Sequence, residues 1–559
     1  MNEVDYRIIM PDLEKMRDKG IDTDLLRKLF IEKLNYDFAD KGISIKFRQS
    51  VKDSVLSTRV IAEKNEFKIV LCQIETLLKG KEIDIVKDIS AYYPDNLIII
   101  TNKDSSEAHF INTKYVGKEQ KKKVKGFRRI SVGKTDRLRT AAERLSMLYA
   151  DTDSTLALMQ KCIDAFDVEA VTKEFYNEFV KKYKALRGVI QKTNGLLFKD
   201  ADELTQNILN RLLFLYFVQK KGWLNNDYQF LYNNFKSNHK EYYKDFLIPL
   251  FRKLSEKTFS APGFENIPFL NGGLFEFHPQ EAEISIPNDA FSGIFDDLLE
   301  RFNFTVREDT EHEEEVAIDP EMLGKIFEQL ILSVESAEYK DIPDPRRESG
   351  SYYTPRFIVS FMVKQSLLNY LTNELPQVQK AALKRLVFDL SSEGIKDAES
   401  IKDKLLDLKI VDPGVGSGAF PVEVLNRLVL VIDALDKQLG IDEDRFKLRK
   451  KLIEHCIYGV DIQNRAVHIA RLRLWLSLIV ELDVDKIKDI PPLINLDFKI
   501  VEGDSLESKI YGFKFDSKIP KQSNQKIIET VEKYVERYEK LKDEYSETSA
   551  EEKKKDLKE

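Results

Sequence analysis

The spacing of apolar and polar positions divides the 559-residue chain into stretches of different period. As far as about residue 150 it predicts a small α/β unit, with an amphipathic helix near residues 12 to 34. Strands are expected at FKIVLCQI (67 to 74), NLIIITN (96 to 102) and AHFINTKYV (108 to 116), each rich in β-branched and aromatic residues beside turn-prone or charged segments. The last two read as a hairpin across KDSSE. From about 155 to 335 the period is helical. In DELTQNILNRLLFLYFVQKKGWL, Leu204, Ile208, Leu212, Leu215 and Val218 recur every three or four positions with further apolar residues between them, which predicts a core helix wrapped by neighbours. Two loops stand out: NIPFLNGGLFEF (266 to 277), where Gly272 and Gly273 permit a tight turn, and the acidic VREDTEHEEE (306 to 315), read as a solvated loop before a helix in PEMLGKIFEQLI.

From 405 to 503 strands and helices alternate. LKIVD (408 to 412) runs into a glycine-rich turn and a helix from about 418 to 436; IYGVDI (457 to 462) runs into NRAVHIARLRLWLSLIVEL, and DFKIVEGD (497 to 504) follows. This β-α-β-α-β order is that of one half of a doubly wound sheet. Beyond 515 the chain is polar and charged, with Ile527, Val531, Tyr534, Tyr538, Leu541 and Tyr545 spaced as on a heptad seam that must pair with another helix. The expected organisation is an α/β domain over 1–150, a helical domain over 151–340, a partial Rossmann-like domain over 341–510 and a charged helical tail or the start of an insertion over 511–559.

Composition narrows the class. At roughly 100–200 residues per domain the chain holds about three or four domains, and 42% hydrophobic residues suffice for a core in each. No apolar run approaches the ~18 residues of a membrane span, and the start lacks a signal-peptide pattern, so a cytoplasmic protein is expected. Cys72, Cys162 and Cys456 are scattered and read as inert core thiols. The net charge of -7 argues weakly against nucleic acid as a partner. Between 114 and 144, however, twelve cations face three carboxylates, a local excess of nine positive charges that would attract a phosphate backbone or simply form a solvated face.

The sharpest chemical signal is VDPGVGSGAF (411 to 420), in which a strand delivers Asp412 and then Gly414, Gly416 and Gly418 to the start of a helix. Glycines let the chain turn tightly and let a ligand reach the backbone, and the helix start offers free amides. A dinucleotide fingerprint is not cleanly present, the next strand-ending acid, Asp461, lies far beyond its usual distance, and no Lys-Ser/Thr follows to hold phosphate. A cofactor with ribose, adenine and a cationic amino-acid end but no pyrophosphate fits better, which describes S-adenosylmethionine.

Four ordered segments, SGSYYTPRFIVSFMV (349 to 363), IVDPGVGSGAFPVEVLNRL (410 to 428), IYGVDIQNRAVHIARLRLWLSL (457 to 478) and NLDFKIVEGDSL (495 to 506), resemble motifs X, I, II and III of the gamma-class adenine-N6 DNA methyltransferases. The resemblance is greatest to those of type IIG restriction-modification and phage-defence proteins. It implies that Tyr353, Thr354 and Pro355 line the methionine end of the cofactor and that Asp412, Gly414, Gly416 and Gly418 surround its amino-acid and ribose portions, Asp412 facing the ammonium. It further implies that Asp461 accepts from both ribose hydroxyls, that Ile462 packs on the adenine, and that Asp504 accepts from the adenine amine.

The family's Asn/Asp-Pro-Pro-aromatic motif, which holds the flipped base, does not occur; the only adjacent prolines, Pro491 and Pro492, follow Ile490 and precede the third strand. The expectation is therefore the amino-terminal portion of a DNA methyltransferase whose catalytic and target-recognition parts lie in a further segment or a partner chain. A non-catalytic, cofactor- and DNA-binding subunit completed by a partner chain is the alternative. Double-stranded DNA is the expected partner. Relatives also carry a metal-dependent nuclease in front, and Asp53 with Glu66-Phe67-Lys68 has its outline; magnesium is implied only if that site is real.

Overall fold

The computed structural model describes residues 4–77, 82–116, 123–305 (without 238, 271, 272 and 276–278), 313–326 (without 325), 354–482 and 487–506, with isolated pieces as far as 540. The predicted first helix is two. Helix α1 (Met10–Lys19) stops because Gly20 takes φ +97°, a conformation that terminates helices, and Asp22 then caps a second segment by accepting from the Leu25 amide at 2.7 Å. A mixed sheet follows, with β1 (Asp37–Gly42), β2 (Val55–Lys64), β3 (Phe67–Ile74), helix α2 (Glu82–Tyr92), β4 (Asn96–Asn102), β5 (Glu107–Val116) and β6 (Lys123–Gly133). Strands β3, β4 and β5 match the expected ones, including the β4–β5 hairpin. In β4, Leu97 and Ile99 enter one core while Ile98 and Ile100 enter a second, beneath Ile85, Val86 and Ile89 of α2. Being covered on both faces is why NLIIITN is continuously apolar.

The sheet corrects the reading of 306–315 as a solvated loop at its last three residues. Glu313–Glu315 forms β7, the seventh strand, parallel to β6; residues 306–312 lie outside the described part. It also pairs six of the twelve cations of the basic run with carboxylates, while Lys118, Lys121 and Lys122 lie outside the described residues. Glu314 takes Lys114 at 2.5 Å and Arg128 at 2.9 Å, and Arg129 lies between Glu82 at 3.4 Å and Glu315 at 3.3 Å. Arg137, Arg139 and Arg144 pair with Glu300, Glu143 and Glu174. Arg129, Arg137 and Arg144 are buried. Part of the charge that looks concentrated along the chain is thus met in space by carboxylates up to 200 positions away.

His109 joins this buried network, its ring nitrogens lying 2.8 Å from Glu82 and 3.1 Å from Glu107. Burial alone would lower its pKa, but the two carboxylates outweigh burial and the opposing Arg129, and the imidazole is pushed up to about 9. A pKa raised above the unfolded value stabilises fully below about pH 6.5 and loses that contribution as pH rises through 9. Urea titrations are therefore expected to show unfolding free energy falling by up to about 3 kcal/mol across that window, with His109→Gln flattening the slope. Equal slopes in the two proteins would refute the assignment.

The helical layer centres on α3 (Val168–Asn194) and α4 (Phe198–Lys220), and α4 is buried around its circumference from Ile208 to Gln219, as its pattern predicted. Helix α5 (Arg356–Glu374) packs on α6 (Ala419–Leu439). Around them β8 (Ile410–Asp412), α7 (Arg445–Cys456), β9 (Ile457–Asp461), α8 (Asn464–Glu481) and β10 (Ile500–Glu502) build a parallel sheet in the order β10-β9-β8. That is the spatial order of the first half of a doubly wound sheet. Its core is continuous with that of the helical layer. Leu270 and Gly273 mark one seam between them: Leu270 donates to the Leu254 carbonyl at 2.8 Å and accepts from the Leu493 amide at 2.7 Å, and a Cβ on Gly273 would stand 3.3 Å from Asp497, while Gly272 lies outside the described residues. Among the described residues no helix is long and apolar enough to cross a membrane.

Candidate functional site

Asp412 closes β8 and Asp461 closes β9, and the register places Asp412 beside Gly459, so both strands end at one rim. Between them the turn Pro413–Gly418 folds onto β9: the Val415 amide donates to the Val460 carbonyl at 2.9 Å, and the Gly416 amide donates to the Asp461 carboxylate at 2.8 Å. Gly416 (φ +52°) and Gly418 (φ +84°) take left-handed backbone, and a Cβ on Gly418 would stand 3.0 Å from the Ala470 backbone. Nothing lies within 4 Å of a Cβ on Gly414, so the turn presents open backbone there.

Gly459 and Arg473 are site residues that the sequence reading missed. A Cβ on Gly459 would stand 2.7 Å from the Val415 side chain and 3.0 Å from Ile500, so the glycine in mid-strand is what lets the turn sit on the sheet; an isolated glycine inside a strand pattern was the available signal. Arg473, buried on α8, donates to the Ser417 carbonyl at 3.1 Å. No local pattern marks that residue.

The rim is anionic. Burial raises the Asp412 pKa, with the Gly414 amide opposing and Asp461 adding to the rise. One Asp412 oxygen accepts from that amide at 3.1 Å, while the other, Oδ2, is buried with no hydrogen-bond partner. The Asp461 oxygens hold Gly416 and the Gln463 amide at 2.9 Å, leaving lone pairs on each. Asp504 is exposed and caps its own turn by accepting from Leu506 at 2.9 Å, and Ser505 donates to the Pro413 carbonyl at 2.6 Å, drawing this loop to the glycine turn. Ile462 is 66% exposed beside Asp461, an apolar surface left open to a ligand. Thr354, next to the helix-capping Pro355, lines a small cavity with Ala419 and Arg473, where Arg356 pairs with Glu321 at 2.8 Å. The structure thus gathers Thr354, Asp412, Gly414, Gly416, Gly418, Asp461, Ile462 and Asp504 around one sheet end; Tyr353 lies outside the described residues, as does the heptad seam apart from two isolated residues beside it. Three carboxylates suit an ammonium, hydroxyls and an amine, and repel a phosphate chain.

The nuclease outline is not assembled. The hairpin register pairs Val55 with Ile74 and Lys64 with Phe67, so Asp53 lies at one end and Glu66 at the other, roughly 30 Å apart for strands of this length. Lys68 instead pairs with Glu63 at 2.9 Å. What lies near Asp53 is Glu75, whose amide donates to the Ser54 carbonyl at 2.8 Å and whose carboxylate pairs with Lys103 at 3.2 Å. Among the described residues no group of three or more His, Cys, Asp or Glu is arranged to hold a metal.

Residues 455–557 match the family model described as Eco57I restriction-modification methylase. A protein of Methanocaldococcus jannaschii described as "Putative type II restriction enzyme and methyltransferase" is 30% identical over 387 residues, covering 60% of this chain and 32% of the relative. The chain thus spans about a third of the length of that curated relative. Among solved structures, the type IIL restriction-modification enzyme MmeI in complex with DNA aligns at a TM-score of 0.37 and 18% identity, covering 61% of this chain and 40% of that one. The DrdV–DNA complex aligns at 0.30 and 13%, covering 90% and 40%. The family model spans the last two of the four sequence segments, and over 387 residues the chain is similar to a type II restriction-modification methyltransferase.

Proposed function

We propose that the chain is the cofactor-binding portion of an adenine-N6 DNA methyltransferase of restriction-modification or phage-defence type, acting in the cytoplasm on a base flipped from double-stranded DNA. The observation that carries the reading is the pair of strand-ending carboxylates around an open glycine turn, with Asp412 Oδ2 buried and unpartnered. A buried acceptor without a donor is costly, and the ammonium of S-adenosylmethionine would satisfy it. Asp461 would accept from the ribose hydroxyls, Ile462 would cover the adenine, Asp504 would accept from its amine, and Tyr353, Thr354 and Pro355 would border the methionine end. When bound, the cofactor supplies an electrophilic methyl group. The chain's own residues orient it and keep its charged end out of water.

Base holding requires an Asn-Pro-Pro-aromatic segment, which these 559 residues do not contain. We place it in a further segment or partner chain that continues the sheet. Among the described residues β8 is paired on one side only, with Val411 63% exposed on it, and Phe357 and Phe361 of α5 are also exposed. These are surfaces that added strands would cover. The missing tetrapeptide equally favours a second reading, a cofactor- and DNA-binding subunit that does no chemistry itself.

Two measurements on the purified chain test the reading. Calorimetry is expected to show one S-adenosylmethionine per chain, and tritiated cofactor is expected to leave duplex DNA unlabelled until a polypeptide bearing the tetrapeptide is added. Absence of binding would overturn the cofactor reading. Labelled adenine with the chain alone would overturn the need for a second part, and no label after such polypeptides are added would overturn the methyltransferase reading.

A further inference from the structure

The helical layer reaches the rim through one buried anion. Asp202, on α4, has no solvent exposure. Its Oδ1 accepts from Arg187 of α3 at 3.0 Å, and its Oδ2 accepts from Arg465 of α8. Tyr183 donates to its carbonyl at 3.1 Å, and Arg187 lies over the Phe198 ring at 4.2 Å. The carboxylate is thus held from the α3 side whatever happens at Arg465. Losing a charge-assisted contact of this kind is costly on the Asp202 side, where the carboxylate is fully buried.

Arg465 is the second residue of α8, and the residues just before that helix are Asp461, Ile462 and Gln463. The Asp461 carboxylate accepts from Gln463 and from Gly416, so a shift of the α8 start moves the acid, the apolar surface at Ile462 and the glycine turn together. We propose that Asp202 is a positioning residue: through Arg465 it sets the start of α8, and so holds Asp461 and Ile462 in place for the nucleoside end of S-adenosylmethionine. The proposal rests on the cofactor reading above, and it couples affinity at the rim to the packing of a layer that does not touch the ligand.

Arg465→Gln in the full chain cuts the link while Arg187 still neutralises Asp202; Arg187→Gln removes the other half and leaves the link. Calorimetry with S-adenosylmethionine is expected to show about tenfold weaker binding for Arg465→Gln, about twofold or less for Arg187→Gln, and partial recovery in Arg465→Lys. Amide hydrogen exchange over 461–466 should rise about tenfold in Arg465→Gln alone, a readout that needs no cofactor. Binding and exchange like the parent in Arg465→Gln, or equal losses in both Gln variants, would overturn the proposal. Should Arg465→Gln fail to fold, Arg465→Lys is read in its place, with about threefold weaker binding expected and parental binding and exchange overturning the proposal. Parental exchange changes without any cofactor binding would instead overturn the reading on which it rests.

Discussion

Asp461→Ala is expected to weaken S-adenosylmethionine binding by at least about a hundredfold, roughly 2.7 kcal/mol. Hydrogen bonds to a charged acceptor contribute about 1.5–3 kcal/mol each, and the proposed role gives Asp461 two of them. The substitution also releases the Gly416 and Gln463 amides, held at 2.8 and 2.9 Å, so the turn loses its fastening to β9 at the same moment. Asp461→Asn separates the two effects. It keeps an acceptor for one amide but not the charge, and an intermediate loss of about tenfold is expected. Calorimetry showing Asp461→Ala at parental affinity would remove this rim as the cofactor site.

The largest expected loss of stability is at Arg211→Met, about 3–5 kcal/mol by urea unfolding. Arg211 is buried on α4 and donates to both oxygens of Glu281, at 2.6 and 3.1 Å, and to the Leu274 carbonyl at 2.8 Å. Methionine fills much of the volume but leaves Glu281, itself buried, as an uncompensated charge with the Tyr243 hydroxyl 3.3 Å away. Adding Glu281→Leu should recover much of the loss, since removing both partners removes the buried charge. A single-variant loss under about 1 kcal/mol would show that the loop is held by its apolar contacts instead.

Both substitutions act at residues whose importance is unequally visible along the chain. Asp461 was legible because a strand ending in an acid and running into a helix is a local pattern, and because the motif order repeats it at Asp412. Arg211 was not, since an arginine inside RLLFLYFVQKK looks like an exposed helix position until the fold brings Glu281 beneath it. The nuclease outline failed for a related reason. Asp53 and Glu66 are thirteen residues apart in sequence, but the extended strand β2 runs between them and carries them to opposite ends of the hairpin.

By itself the sequence determined whatever depends on neighbours within a few residues. The alternation in β3 to β5, the wrapped helix α4, the glycine turn and its two acids, and the β-α-β-α-β order follow from local periodicity and backbone permissiveness. Only the tertiary structure decided where charges meet. It showed that Arg128, Arg129 and Arg137 of the basic run meet Glu82, Glu300, Glu314 and Glu315, that Glu313–Glu315 is a strand, and that Asp202 reaches Arg465 across the layers. Coulomb energy depends on distance and burial in space, and neither is encoded in separation along the chain.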